Sequence, residues 1–95
     1  MHIITRKRIQ EFIVQHPDSQ SSLDSWYRII VHTNYNSFTE LKRHFASADY
    51  VDGLVVFNIS GNKYRLIAAI HFNRKKVYIR DILTHTEYDK GKWRK

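Results

Sequence analysis

Apolar residues recur in two different rhythms along the chain, and the change of rhythm divides it. Over residues 6–16, Ile9, Phe12, Ile13 and His16 fall on one face of a helix, which Thr5 is placed to cap and Pro17 to end. Over roughly 22–32, Leu23, Trp26, Tyr27, Ile30 and Val31 repeat at helical spacing. Ser37 and Glu40 have the spacing of a capping box and open a short third helix through Leu41, His44 and Phe45. The initial "MHIIT" reads as a strand, and "HTNYNS" and "ASADYVDG" as loops. From residue 54 the period becomes two. Strands are predicted at 54–60, 63–72 and 76–84, joined by turns at Gly61-Asn62 and Asn73-Arg74-Lys75.

The last two strands can be read face by face, because side chains alternate along a strand. Residues 63–72 put Tyr64, Leu66, Ala68, Ile70 and Phe72 on one face and Lys63, Arg65, Ile67, Ala69 and His71 on the other. Residues 76–84 put Val77, Ile79, Asp81 and Leu83 on one face and Lys76, Tyr78, Arg80, Ile82 and Thr84 on the other. An even-numbered loop joins the two apolar sets under the helices and leaves Lys63, Arg65, His71, Tyr78 and Arg80 together on the opposite face. The expected architecture is α+β: a small antiparallel β-sheet with N-terminal helices packed on one face and a basic, aromatic concavity on the other. Ninety-five residues make one domain, 1–95.

Charge sharpens this picture. Residues 1–60 hold six basic and six acidic side chains, whereas 61–95 hold ten basic and three acidic, so the whole excess of +7 lies in the strand-rich part. Such a field attracts polyanions, nucleic acid first among them. Cysteine is absent, which excludes disulfides, thiolate metal sites and cysteine nucleophiles. No apolar run is long enough to cross a bilayer and no signal-peptide pattern follows Met1, so the expected location is cytoplasmic, without membrane association.

The stretch "IRDILTHTEYDKGKW", residues 79–93, carries the candidate chemistry. A strand end needs a turn, but not an imidazole, carboxylates and a phenol within five residues. Arginine offers a planar fork for phosphate oxygens, and tyrosine a stacking face and a hydroxyl. Histidine carries protons near neutral pH. Fixed cations beside acid–base groups are what metal-free RNA cleavage requires. The 2′-hydroxyl loses a proton and attacks the adjacent phosphorus, cations stabilise the charge of the pentavalent state, and the leaving 5′-oxygen gains a proton. The spacing His85-x-Glu87 without a further histidine is a poor metal site, and neither metal nor cofactor is expected. Each residue also has a structural use. Arg65 could pair with Glu87 or Asp89, and Arg80 with Asp89. His85 could bond backbone, Tyr88 could cover the core, and Glu87 and Asp89 could cap the turn.

"FNISGNKYRLIAAIHF" followed by "VYIRDILTHTEYDK" resembles the HigB toxins of bacterial type II toxin–antitoxin systems, in the RelE-like superfamily. The resemblance runs over nearly the whole chain and includes "ITRKRIQEF", "HPDS", Trp26 and "LKRHF"; the tail "KGKWRK" departs in being more basic and carrying a glycine. It implies a ribosome-dependent mRNA interferase that inhibits translation. Its catalytic set would be Arg65, Arg80, His85, Glu87 and Tyr88, with Lys63, His71, Lys76, Tyr78, Asp89, Lys90 and Lys92 as RNA-binding residues. The implied partners are mRNA on the ribosome, with rRNA contacts, and a HigA-type helix-turn-helix antitoxin that joins the toxin in a heterotetramer. Association with DNA would be indirect, through the antitoxin. Two other functions use the same face: a non-catalytic RNA- or ribosome-binding module, and a structural protein whose basic patch meets an acidic partner. Only cleavage needs His85 and Glu87.

Overall fold

Helices and strands segregate along the chain as their periodicities predict, with one strand more than expected. The computed structural model describes residues 1–94; Lys95, part of the basic excess, lies outside the described residues. In order the elements are β1 (His2–Ile3), α1 (Arg6–Gln15), a 3-10 turn (Pro17–Ser19), α2 (Gln20–Val31), α3 (Phe38–His44), β2 (Asp49–Val51), β3 (Leu54–Ile59), β4 (Tyr64–His71), β5 (Lys76–Thr84), α4 (His85–Asp89) and a second 3-10 turn (Lys92–Arg94). The five strands form one sheet in the order β1-β5-β4-β3-β2. All pairings are antiparallel except β1 with β5, which is parallel. The fold is α+β, as expected, with one parallel edge.

The helices bury the faces that their spacing selects. Ile9 of α1 and Leu23, Trp26 and Ile30 of α2 join Val55, Phe57, Ile59, Leu66, Ala68, Val77 and Ile79 of the sheet in one apolar cluster. Trp26 and Phe45 meet the ring of Phe57 edge-on at 5.3 and 5.1 Å. Each fully buried aliphatic or aromatic side chain contributes roughly 1.5–3 kcal/mol of transfer free energy, so this cluster is the main support of a small domain.

Four local expectations are corrected. Thr5 does not cap α1; its hydroxyl accepts a hydrogen bond from the Ile79 amide at 2.6 Å and so pins the helix start to β5. At α3, Ser37 accepts from the Glu40 amide at 3.3 Å, but the Glu40 carboxylate accepts from Asn36, which leaves half a capping box. Within the expected loop "ASADYVDG", Asp49–Val51 pair with β3, and Asp52 and Gly53 both take positive φ (52° and 81°). That is the backbone of a tight hairpin turn, where glycine carries no steric penalty.

The fourth correction is the largest. From His71↔Lys76 to Ala68↔Ile79 the β4–β5 register is the expected one, but the next pair is Ile67↔Asp81. Arg80 is an extra residue, a β-bulge, and beyond it every side chain of β5 changes face. Asp81 and Leu83 stand beside Ile67 and Arg65 on the open face, while Ile82 and Thr84 stand beside Leu66 and Tyr64 on the helix face, where Ile82 packs against the core.

Candidate functional site

Thr84 and Glu87 build the platform. The Thr84 hydroxyl accepts from the Glu87 amide at 3.2 Å, and a Glu87 carboxylate oxygen accepts from the Thr84 amide at 2.9 Å. This complete capping box turns the end of β5 directly into α4. The His85 amide donates to the Lys63 carbonyl at 2.9 Å, tying α4 to the start of β4. His85, Tyr88 and Asp89 are thereby presented from one helical turn at the edge of the open face. The capping use of Glu87 that the sequence offered beside its acid–base use is thus present, with Thr84 as its partner in the box.

Arg65 is the centre of the arrangement. Its side chain rises from the middle of the sheet and the residue is 9% exposed. Nη1 donates to the carbonyls of Asn62 (3.1 Å) and Tyr64 (3.2 Å). Nη2 lies 3.4 Å from His85 Nδ1, and the guanidinium sits 5.4 Å from the Tyr88 ring centroid, over its face. Among the described residues no carboxylate lies within ion-pairing distance of Arg65, so the expected structural alternative, a pair with Glu87 or Asp89, is not formed. A buried guanidinium held by neutral carbonyls and without a counter-charge has donors left to offer an anion.

His85 is anchored on its other side. Nε2 lies 3.1 Å from an Asp89 carboxylate oxygen, four residues on. Nδ1 is therefore the ring nitrogen that faces the guanidinium, and Asp89 is placed to orient the ring and balance its positive form. The Tyr88 ring stacks on Trp93 at 5.0 Å with 15° between planes, and Trp93 Nε1 donates to the Tyr88 carbonyl at 3.0 Å.

The remaining candidates divide. Lys90 and Lys92 join Asp81, Leu83, Glu87 and Trp93 around an open cavity of about 350 Å³ next to α4. Lys63 is diverted: its ammonium pairs with Asp18 of the 3-10 turn, and Tyr64 donates to the same carboxylate at 2.7 Å. These bonds, the one from Lys63 foremost, hold the Asp18 carboxyl below its ordinary value, and Asp18 in turn raises Lys63 and the Tyr64 hydroxyl. Arg80 is exposed on the bulge and makes no side-chain hydrogen bond or ion pair with the described residues, Asp89 included. His71 and Tyr78 meet edge-to-face at 5.2 Å, with Lys76 paired opposite His71, at the far end of the hairpin. Roughly 13 Å of strand separates Tyr78 from the level of Arg65, and roughly 20 Å separates His71 and Lys76 from it. Trp93 was not among the expected site residues; its only signal was an aromatic in a basic tail.

Nor is the open face wholly open. Val56 and Ile67 are a directly opposed pair, buried yet outside the helix-side cluster. Arg94 reaches Asp52 of the β2–β3 turn at 3.2 Å, so the C-terminal segment runs back from α4 towards that turn.

An α+β domain with a basic open sheet face, a buried unpaired guanidinium and an adjoining imidazole–carboxylate pair has the features of a small protein suited to polyanions. The family model of the HigB toxin, described as the RelE-like toxic component of a toxin–antitoxin system, matches residues 19–91. The chain is 35% identical over 92 residues to the mRNA interferase toxin HigB of Escherichia coli K12, covering 94% of this chain and 88% of that protein. The mRNA interferase HigB of Shigella flexneri matches to the same extent. That of Escherichia coli O6:H1 is 33% identical over 93 residues, covering 95% and 90%. The chain belongs to the HigB toxin family; as the toxic component of a toxin–antitoxin system, it has an antitoxin as its partner.

Proposed function

We propose that the protein is an endoribonuclease that cuts mRNA on the ribosome, inhibits translation, and is neutralised by a HigA-type antitoxin. The observation that carries this reading is Arg65: buried, without a counter-carboxylate, and within reach of His85 and Tyr88. The names of the relatives, mRNA interferases, agree with it.

In this reading a phosphate oxygen of the message takes the free donors of Arg65. Negative charge grows on that phosphate as the 2′-oxygen attacks, and a fixed guanidinium in a partly desolvated site stabilises it more than water does. His85, steadied by Asp89 at Nε2, acts as the doubly protonated ring: once the phosphate takes the Arg65 donors away from Nδ1, the Nδ1 proton passes to the leaving 5′-oxygen. The second oxygen of Glu87, or Tyr88 acting as its phenolate, takes the proton of the 2′-hydroxyl. One Glu87 oxygen already accepts from the Thr84 amide, so Glu87 is at least half structural. Arg80, Lys90 and Lys92 hold flanking phosphates, and His71, Tyr78 and Lys76 add docking surface further along the sheet.

Inducible expression in a bacterium, with primer extension on a translated message, tests the reading. Growth arrest with new message ends is expected, and both are to disappear in Arg65→Ala. Growth and message ends unchanged by the wild type would overturn it. Ribosome binding without new ends would favour the non-catalytic module.

A further inference from the structure

Phosphate binding by Lys90 and Lys92 and proton transfer at Glu87 leave the other walls of the cavity beside α4, Asp81, Leu83 and Trp93, without a role. Two of its walls were expected elsewhere. The bulge at Arg80 turns Asp81 and Leu83 out of the helix-side core and onto the open face. Leu83 supplies an apolar surface, and Asp81 a half-buried carboxylate that makes no hydrogen bond or ion pair with the described residues. Trp93 forms a third wall. Its indole is fixed by stacking on Tyr88 and by the hydrogen bond from Nε1 to the Tyr88 carbonyl. Lys90 and Lys92 stand at the same rim.

An immobilised indole, an apolar wall, the unengaged Asp81 carboxylate beside the half-engaged one of Glu87, and two ammonium groups around about 350 Å³ match a flat heteroaromatic ring joined to phosphate. We propose that this cavity is a nucleobase subsite, in which Trp93 is the stacking platform and Asp81 selects a base that carries an exocyclic amino group. The proposal rests on the RNA-cleaving reading and adds base selection to it. A carboxylate only accepts. It takes a hydrogen bond from the amino group of cytosine, adenine or guanine, whereas the O4 carbonyl that uracil presents in its place repels it. Lys90 and Lys92 meet the phosphates on either side of the base. The subsite is distinct from the scissile-phosphate position at Arg65 but adjoins it through the Tyr88–Trp93 stack and the Glu87 side chain.

Cytidine and uridine 5′-monophosphates make the decisive pair of probes, since their rings differ at this position in amino against carbonyl. Titrated into the full chain and followed by tryptophan fluorescence, CMP is expected to quench more tightly than UMP by about fivefold or more. The quench is to vanish in Trp93→Phe, where only the buried Trp26 remains, and Asp81→Asn is to bring CMP and UMP together, because an amide both donates and accepts. Mapping of cut ends on translated messages gives the second readout. One position near the cut is expected to disfavour uridine, and Asp81→Asn is to remove that bias whatever it does to the rate. A purely structural Trp93 or Asp81 would move melting temperature or rate but not base preference. Equal quenching by CMP and UMP, or a uridine bias unchanged in Asp81→Asn, overturns the subsite. A chain that binds CMP selectively but cuts no message overturns the ribonuclease reading and leaves the subsite standing.

Discussion

The two ends of the β4–β5 hairpin carry similar residue types on the same open face. One end holds His71, Tyr78 and Lys76, the other Arg65, His85 and Tyr88. At the first, the register is regular and the contact is a single ring pair on an otherwise plain strand surface. At the second, a bulge, a capped helical turn and a returning tail fix the side chains: Arg65 by two backbone carbonyls, His85 by the Asp89 carboxylate and Tyr88 by stacking on Trp93. Composition alone does not separate a docking surface from a reaction site. What separates them is preorganisation, the fixing of charge before substrate arrives, which costs nothing further during reaction.

Breaking the fixed end at its centre gives the largest expected effect. Arg65→Ala is to lower single-turnover cleavage on ribosome-bound message by roughly 10²–10³-fold, the range for loss of one preorganised charge donor. Ribosome affinity is to fall far less, because other cations share docking. Equal losses of rate and affinity would make Arg65 a docking residue and erase the contrast between the two ends. Arg80→Ala, at an exposed bulge, is expected to fall between Arg65→Ala and the distal variants.

Tyr88 comes next and sharpens the contrast, because its ring already contacts an indole and a guanidinium. If the hydroxyl moves a proton, Tyr88→Phe is to be nearly as slow as Tyr88→Ala, on the order of 10²-fold below wild type. A fast Phe variant with a slow Ala variant would reassign Tyr88 to holding Trp93 and Arg65 in place. In parallel, His85→Ala is to lose the limb of the rate–pH profile that an imidazole acid produces; an unchanged profile would leave His85 as a positioning residue.

A smaller effect is expected at the platform. Thr84→Ala removes a cap worth about 1 kcal/mol, so α4 frays and cleavage falls several-fold with a modest loss of melting temperature. Retained activity with a frayed α4, seen as fast amide exchange at Glu87, would mean that the platform is not needed. At the distal end, Tyr78→Ala and His71→Ala are each to change cleavage by less than about threefold. Lys76→Ala is to lower the salt slope of RNA binding by about one.

Much of this was legible in the residues. The helical faces of Leu23, Trp26 and Ile30, the strand alternation and the basic second half are periodic or compositional, and such signals survive folding. "THTEYD" marked the end of the sheet where His85, Tyr88 and Asp89 gather beside Arg65. Three features were hidden for physical reasons. The bulge leaves no trace, because Val77, Ile79, Asp81 and Leu83 read as unbroken alternation whether or not Arg80 is paired. The three-residue strand Asp49–Val51 is too short to show a period, although Asp52-Gly53 beside it is a hairpin signal. And no local pattern links Asp18 to Lys63, 45 residues further on; only the 3-10 turn that begins at Pro17 brings them together.

That last contact gives the smallest effect and tests whether Lys63 belongs to the reactive end at all. Both partners are largely solvated, with side chains 63% and 48% exposed, so screening keeps the pair weak. Its signature is pH. The Asp18 carboxyl is depressed below its ordinary 3.8, so its contribution to stability is fully present above that value and is lost as pH falls through the depressed one. Lys63 is raised above its ordinary 10.5, so its contribution is present below that value and is lost only as pH rises through the raised one. Asp18→Asn is therefore to melt slightly below wild type on a plateau from about pH 5 to 9, with the two curves converging in acid, where both chains are neutral at position 18. A difference that persists undiminished at pH 2 would assign the effect to the Tyr64 hydrogen bond or to packing instead. The same variant frees the Lys63 ammonium beside Arg65. If Lys63 is an RNA contact restrained by Asp18, the salt slope of RNA binding steepens in Asp18→Asn; if Lys63 is only a strut between the 3-10 turn and β4, the slope stays as it was.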